Sequence, residues 1–252
     1  MVKIGKNCKF GQGVVIGDNV VIGDDNIFGN FISITGNTNI GNSNFFSDFI
    51  TIGRPSCHQI ERYEFKEMQN GSIKIGNNNI FREYTSINLP TTKNTFIENE
   101  CFFMPYSHIS HDVKIRKKVV FANNVQTGGF TYFGMNSFIG FNTSTHQESA
   151  IGGFCMIGMG SNIVMDIPPG MLAYGTPATC IKIDSVGLTK KGFNKNQIEE
   201  IIKFYEKSNS KEDAKEKLDM VSSTKFKETF IEFLQYSKRN ISLPNQRRWE
   251  DN

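Results

Sequence analysis

Four histidines stand in 252 residues, at His58, His108, His111 and His146, and one of them has a carboxylate directly behind it in His108-Ile109-Ser110-His111-Asp112. An imidazole takes up and returns a proton near neutrality, because its unperturbed pKa is about 6.5. A histidine beside an aspartate is therefore suited to general-base work. Zinc ligation is the rival chemistry. His108 and His111 are an odd number of residues apart, so on a strand they face opposite ways and would share one metal poorly. The five cysteines, Cys8, Cys57, Cys101, Cys155 and Cys180, contain no C-x-x-C pair. They point to neither a thiolate zinc site nor a disulfide framework, and read as small buried hydrophobes. No bound metal and no separate cofactor are expected.

What must position these residues is a repeat. Counting in sixes from Ile4 meets Phe10, Ile16, Ile22, Phe28, Ile34, Ile40, Phe46 and Ile52, most of them followed by glycine, as at Gly5, Gly11 and Gly17. The frame returns at Ile75, Phe81 and Ile87, then runs from Ile97 to Ile163, which makes twenty-four hexads. Helices repeat every 3.6 residues and strands every 2, so neither gives this period. A coiled β structure does. Each hexad is then a short strand and a corner, with the aliphatic or aromatic residue inward and Gly, Asn or Asp in the corner conformations that strain other residues. A thin inward stripe suffices when coils rest on one another, which accounts for the mean hydropathy of −0.34.

The register breaks twice. Ile52 to Ile75 holds 17 residues beyond one hexad and Ile87 to Ile97 holds four, which places insertion loops near 54–74 and 88–96. Loops on a rigid scaffold commonly carry binding groups. After Ile163 the pattern stops at Asp166-Ile167-Pro168-Pro169-Gly170, where prolines cannot donate to a ladder. Ile198, Ile201, Ile202 and Tyr205 then recur at helical spacing, Ser210-x-x-Asp213 reads as a capping box, and Phe226, Phe230, Phe233 and Leu234 mark a further helix. The expected organisation is a β-solenoid over 1–186 and a C-terminal helical domain with a polar tail over 187–252, with Met220 and the aromatics as its core.

Composition excludes several classes. With 38% apolar residues and Lys+Arg 28 against Asp+Glu 25, the chain is globular rather than disordered. No apolar run approaches the roughly 18 residues of a membrane helix, and the first residues contain no apolar signal core, so a cytoplasmic protein is expected. A formal charge of +3 with both signs interspersed does not point to nucleic acid, although it would tolerate an acidic protein or a phosphate.

The hexads resemble those of the hexapeptide-repeat acyltransferases. That resemblance implies an all-β left-handed parallel β-helix with three hexads to a coil, residues 18 apart stacking, and three chains associating side by side. Ile80-Phe81-Arg82-Glu83-Tyr84-Thr85-Ser86-Ile87, His108-Ile109-Ser110-His111-Asp112, Phe121-Ala122-Asn123-Asn124, Thr145-His146-Gln147, Asp166-Ile167-Pro168-Pro169 and Gly187-Leu188-Thr189-Lys190-Lys191-Gly192-Phe193 are similar, within that family, to the enzymes that acylate the 3-hydroxyl of UDP-N-acetylglucosamine in lipid A synthesis. Carried across, His111 matches the general base, Asp112 the carboxylate that orients it, and Gly129 the residue whose N–H holds the tetrahedral oxyanion. Consecutive strand residues face apart, so His111 and Asp112 can pair only at a corner or across subunits. His146 and Gln147 match positions near the nucleotide. Lys190 and Lys191 stand where arginines usually meet phosphates or the acyl carrier protein, keeping the charge without the bidentate fork. His108 is read as structural.

Several positions depart from the family. Phe130 replaces a histidine that meets the sugar 6-hydroxyl, and Asp184 and Val186 replace an amide and an acid at the nucleotide. Glu61 and Arg62 are the candidate sugar contacts of the first insertion, and the family's opening segment is not matched. Phe130 would suit a 6-deoxy sugar. Met159 aligns with the family's acyl-chain ruler, where methionine blocks a long chain, which implies a short or medium acyl group, 3-hydroxyacyl by resemblance. Three readings stay open: 3-O-acylation of a UDP-linked amino sugar by acyl carrier protein, N-acylation of a surface-polysaccharide amino sugar from a carrier or CoA thioester, and a non-catalytic scaffold that binds a nucleotide sugar.

Overall fold

The computed structural model describes residues 1–56, 60–61, 64–65 and 71–244. The chain winds as a left-handed parallel β-helix of triangular coils. The first face has eight parallel strands, from Lys3–Ile4 to Ala150–Ile151; the second has ten, from Lys9–Phe10 to Ala178–Ile183, the last of them antiparallel. The third runs from Val15–Ile16 to His108–Ile109 and continues through single bridges at Gln126 to Ser144–Thr145 and Asn162–Ile163. Ile4 pairs with Ile22, Ile40 with Ile75 and Ile75 with Ile97, so the hexad frame holds across both insertions.

The inward positions stack like on like. Phe10, Phe28, Phe46, Phe81 and Phe103 form one column with centroids 4.8–5.0 Å apart. Such pairs add about 0.5–1.5 kcal/mol each beyond their burial. Beside it runs a buried amide ladder: Asn44 Nδ2 donates to Asn26 Oδ1 and Asn79 Nδ2 to Asn44 Oδ1, both at 3.0 Å, and Asn79 Oδ1 accepts the Cys101 N–H at 2.8 Å. The amides satisfy one another from coil to coil and the Cys101 N–H closes the ladder, which removes the cost of burying them.

The corners correct one expectation. Gly5 follows an inward residue but does not take the left-handed conformation; that falls two residues later, at Asn7 with φ 57°. Glycine is required because coils touch there: a Cβ on Gly5 would lie 2.5 Å from the Gly23 carbonyl carbon. The left-handed position is also not confined to Asn and Asp, since Phe31, Phe49, Tyr84, Tyr106 and Phe130 occupy it with φ of 54–64°. That conformation costs about 1–2 kcal/mol per residue without glycine. Phe31, Phe49, Tyr84 and Tyr106 recover part of it by stacking on one another along an exposed edge, at 4.9–5.4 Å.

Beyond the prolines the chain returns as a hairpin, Met171–Gly175 against Ala178–Ile183, not foreseen from the sequence. Among the described residues four α-helices follow: α1 (Ser185–Lys190), α2 (Lys195–Glu206), α3 (Lys211–Glu216) and α4 (Thr224–Tyr236). The reciprocal capping box lies at Asn194 and Gln197, at the start of α2. Ser210 does cap α3, but the Asp213 carboxylate takes the Asn209 N–H instead of returning to Ser210. The apolar faces of α2 and α4, including Ile201, Phe204, Phe230 and Phe233, join one core continuous with the solenoid. Met220 is not in that core; its side chain is exposed. Tyr236 stacks on Tyr132 at 4.3 Å and the Tyr205 hydroxyl donates to the Pro169 carbonyl, so the helices lie back against the coils.

Among the described cysteines, Cys101, Cys155 and Cys180 are buried, Cys8 is partly so, and all four are free thiols. Burial pushes the Cys101 and Cys155 thiols up to about 12, which leaves them inert near neutrality. Cys57 lies outside the described residues.

Candidate active site

His111 and Asp112 sit on the edge between the third and first faces, and Asp112 holds the left-handed corner position, φ 58°. That turn brings neighbouring side chains together where a strand would separate them. His111 Nδ1 lies 3.0 Å from Asp112 Oδ2, so the corner, not a second subunit, makes the pair. Both residues are buried. Burial acts to raise the Asp112 carboxyl, but the His111 ring and the Thr91 and Lys93 donors outweigh it and hold the group well below the usual carboxylate range. An ionised Asp112 accepts the Nδ1 proton, which leaves Nε2 unprotonated and able to act as a base.

One coil on, Gly129 lies against the His111 ring. At some other corners the equivalent N–H is bonded to a side chain of the neighbouring coil: Lys6 N–H to Asp24 at 2.7 Å, Gln12 N–H to Asn30 at 2.8 Å and Asp24 N–H to Asn42 at 2.7 Å. The residue in that place beyond Gly129 is Gln147, and among the described residues the Gly129 N–H has no acceptor. An available donor beside a base suits a developing oxyanion. Phe130 follows in the left-handed position and meets the His111 ring edge to face at 5.2 Å. Its N–H donates to the His111 carbonyl at 3.1 Å, but its side chain offers no hydrogen bond.

His146 lies one coil further along the same edge. The structure adds a residue with no sequence signal: Arg239, beyond α4, donates to His146 Nδ1 and to the Gln147 carbonyl, the latter at 2.8 Å from Nη2. The Gln147 carbonyl also lies 3.0 Å from His146 Nδ1, so a donor-only guanidinium and an acceptor-only carbonyl meet the same ring nitrogen and hold the ring in place. Thr91, Thr92 and Lys93 of the second insertion were also missed. They surround the Asp112 carboxylate.

His108 is set apart from this group. It lies on the strand His108–Ile109, its Nδ1 2.8 Å from the Ser86 hydroxyl, and burial, helped by the charge of His111, lowers its pKa. Among the described residues no three His, Cys, Asp or Glu side chains converge as a metal site. Glu61 falls in the short strand Ile60–Glu61, and Arg62 lies outside the described residues.

The remaining candidates occupy the other two edges. Lys190 and Lys191 line a cavity of about 350 Å³ with Asn136, Phe154, Asp184 and Val186, on the edge between the first and second faces. Lys117, Lys118 and Lys225 extend this basic surface. Asp184 has a local task, since its side chain accepts the Gly187 N–H and caps α1. Met159 lies on the edge between the second and third faces and is 75% exposed, so within one chain it is not a core methionine. A single chain therefore does not bring His111, Lys190 and Met159 together.

Residues 166–242 match the family model described as "Udp N-acetylglucosamine O-acyltransferase; Domain 2", and residues 1–36 match the bacterial transferase hexapeptide model. The acyl-[acyl-carrier-protein]–UDP-N-acetylglucosamine O-acyltransferase of Campylobacter concisus is 35% identical over 111 residues, 44% of this chain and 42% of that protein. Its namesake from Burkholderia thailandensis is 30% identical over 156 residues, 58% of this chain and 60% of that protein. These alignments span about half the length of the relatives. Among solved structures, LpxA, a UDP-N-acetylglucosamine acyltransferase from Bacteroides fragilis, is 29% identical with a TM-score of 0.84 over 95% of both chains. LpxA from Acinetobacter baumannii is 28% identical with a TM-score of 0.86 over 96% of this chain and 95% of that one.

Proposed function

We infer that this chain, which belongs to the hexapeptide-repeat acyltransferase family, moves a short or medium acyl group from the thioester of an acyl carrier protein to the 3-position of a UDP-linked amino sugar. The observation that carries this reading is the His111–Asp112 pair with Gly129 against its ring, whose N–H has no acceptor among the described residues. His111 Nε2 takes the proton of the acceptor as its oxygen attacks the thioester carbon. The carbonyl oxygen becomes the oxyanion beside the Gly129 N–H. Collapse breaks the carbon–sulfur bond, and the proton held by His111 passes to the departing thiolate, so base and proton are both restored.

The placement of the other residues supports a homotrimer with sites between subunits. His111, the Lys190–Lys191 surface and Met159 stand on three different edges. A second copy set against the first edge can supply the lysines and the methionine that the first lacks. The exposed aromatic column from Phe31 to Tyr106 is the kind of surface that such packing covers. The basic surface around Lys190, Lys191 and Lys225 suits an acidic carrier protein or a diphosphate. Among the described residues no helix is long and apolar enough to cross a membrane, and a cytoplasmic site of action fits a carrier-protein donor.

Phe130 favours a second reading, in which the acceptor is a 6-deoxy or otherwise altered sugar and the attacking atom is nitrogen, because the residue beside the base cannot bind a 6-hydroxyl. One reaction mixture separates these. A medium-chain 3-hydroxyacyl carrier protein is supplied with equimolar UDP-N-acetylglucosamine and its 3-amino analogue, and products are read by mass spectrometry before and after hydroxylamine. An ester, cleaved by hydroxylamine, supports O-acylation; a resistant amide supports N-acylation. No product from either acceptor, or from their 6-deoxy forms, would remove the enzymatic reading and leave a nucleotide-sugar scaffold.

A further inference from the structure

We propose that the second insertion is a cradle that sets the base, and that Thr91 is its positioning residue. The four residues added between Ile87 and Ile97 break the repeat one coil before His111. They deliver donors to a single carboxylate. Asp112 Oδ1 accepts the N–H of Lys93 at 2.6 Å, the Thr92 hydroxyl at 3.1 Å and the Thr92 N–H at 3.2 Å. Oδ2 accepts the Thr91 N–H and the Thr91 hydroxyl, both at 2.7 Å, as well as His111 Nδ1 at 3.0 Å. A carboxylate has about four lone-pair sites, so this one is filled and cannot rotate or take up water. Its side chain is 1% exposed.

Thr91 differs from its neighbours because its hydroxyl touches both partners. Oγ1 is 2.7 Å from Asp112 Oδ2 and 3.3 Å from His111 Nδ1. The hydroxyl proton goes to the carboxylate, so its oxygen lies as a second acceptor beside the Nδ1 proton. This arrangement fixes the ring plane and the tautomer together, and it moderates the charge that Oδ2 presents to His111. Among the described residues, the other charged or titratable groups around the pair are His108 on the preceding strand, and Lys74, Lys93, Lys114 and Tyr236, which line the same cavity as Asp112. A change at Thr91 alters none of them.

The proposal rests on the reading of His111 as the base, so its test has an arm that needs no turnover. In the full chain, Thr91→Val removes the hydroxyl and keeps the shape and the N–H, while Thr91→Ser keeps the hydroxyl. ¹⁵N NMR of histidine-labelled protein, assigned against His111→Gln, follows the His111 ring through pH. Without the Thr91 hydroxyl, Oδ2 keeps more of its charge for the imidazolium. The midpoint should therefore move up by about 0.5 to 1 pH unit, less than a full hydrogen bond to a charged group is worth, because the Nδ1 proton loses the Thr91 oxygen as an acceptor at the same time. The acid limb of kcat/KM should move by the same amount, and kcat should fall about tenfold with the acceptor KM within twofold. Thr91→Ser should match the wild type in both readouts. A wild-type midpoint and rate in Thr91→Val, or a Thr91→Ser chain displaced as far as Thr91→Val, would overturn the cradle. A shifted midpoint in a chain whose wild type transfers no acyl group would uphold the cradle and remove the acyl-transfer reading alone.

Discussion

The His111 ring lies over Gly129 so closely that a Cβ built on the glycine would stand 2.5 Å from Nε2 and 2.4 Å from Cε1. Those are the ring atoms that meet the acceptor in the proposed reaction. Gly129→Ala must therefore push the base aside, and any shift of the corner also re-aims the Gly129 N–H. Loss of one oxyanion donor typically lowers kcat by about 10²–10³. The same order is expected here together with a lower melting temperature, because the buried ring that must give way is held by Asp112 and Thr91. Steady-state kinetics and a thermal melt on one preparation check it; a wild-type kcat would place the oxyanion elsewhere.

Phe130 argues specificity from the same corner. Its ring packs edge to face on His111 and blocks a polar contact there. A site lacking the partner for a hydroxyl discriminates weakly, whereas adding one can favour the hydroxylated substrate by about 1–3 kcal/mol. Phe130→His should raise kcat/KM for a UDP-sugar with a 6-hydroxyl relative to its 6-deoxy form. Equal turnover of the two sugars by wild type and variant alike would count against any role in reading the 6-position.

The repeat could be read from the sequence because every coil has the same needs: an inward apolar residue, a residue small enough for the next backbone, and a turn. Ile75 and Ile97 rejoin the frame on the far side of both insertions for that reason. The pairing of His111 with Asp112 was readable only as far as requiring a corner or a neighbouring subunit. Thr91, Thr92 and Arg239 were not readable, since a cradle assembled 20 or 93 residues away leaves no period. The break in the count before a His-Asp pair was the one available signal for the first two. The hairpin at Met171–Ile183 was hidden by the prolines that end the hexads.

Met159 bears on the donor. With its side chain 75% exposed on an edge remote from His111, it has no packing duty within its own chain. Met159→Gly should leave stability nearly unchanged, as surface substitutions usually do within about 0.5 kcal/mol, and shift preference towards longer acyl chains. Competition between carrier proteins bearing different chain lengths reads this directly. An unchanged preference would dismiss the ruler.

Acid should weaken the fold in two steps. His108 is held neutral by burial and by His111, so its folded pKa lies below the unfolded 6.5. The stability it contributes is complete above that value and erodes as pH falls through the folded pKa. Asp112 is depressed below 3.8, so its contribution is lost only in stronger acid. Melting temperature should decline from about pH 6.5 downward, and His108→Gln, which can still meet the Ser86 hydroxyl, should flatten that first step. Parallel declines in both proteins would assign the step to another group.

Asp166 joins the last coil to the segment that carries Arg239. Its Oδ1 accepts the Ala150 N–H at 2.7 Å, and its Oδ2 accepts the Ser237 hydroxyl at 2.8 Å and the Arg239 N–H at 2.9 Å. Burial raises its carboxyl despite these donors, so the ionised form is costly where it stands. Removing the acceptor is worse, because three donors lose their partner: Asp166→Ala should cost about 2–5 kcal/mol. Asp166→Asn keeps an acceptor oxygen without the charge and should cost far less. Since the Arg239 side chain holds the His146 ring from this anchor, Asp166→Ala should also raise the acceptor KM more than it lowers kcat. Denaturant unfolding of both variants, with KM and kcat for each, tests the two claims together; a variant that unfolds early yet keeps a wild-type KM would confine Asp166 to holding the fold.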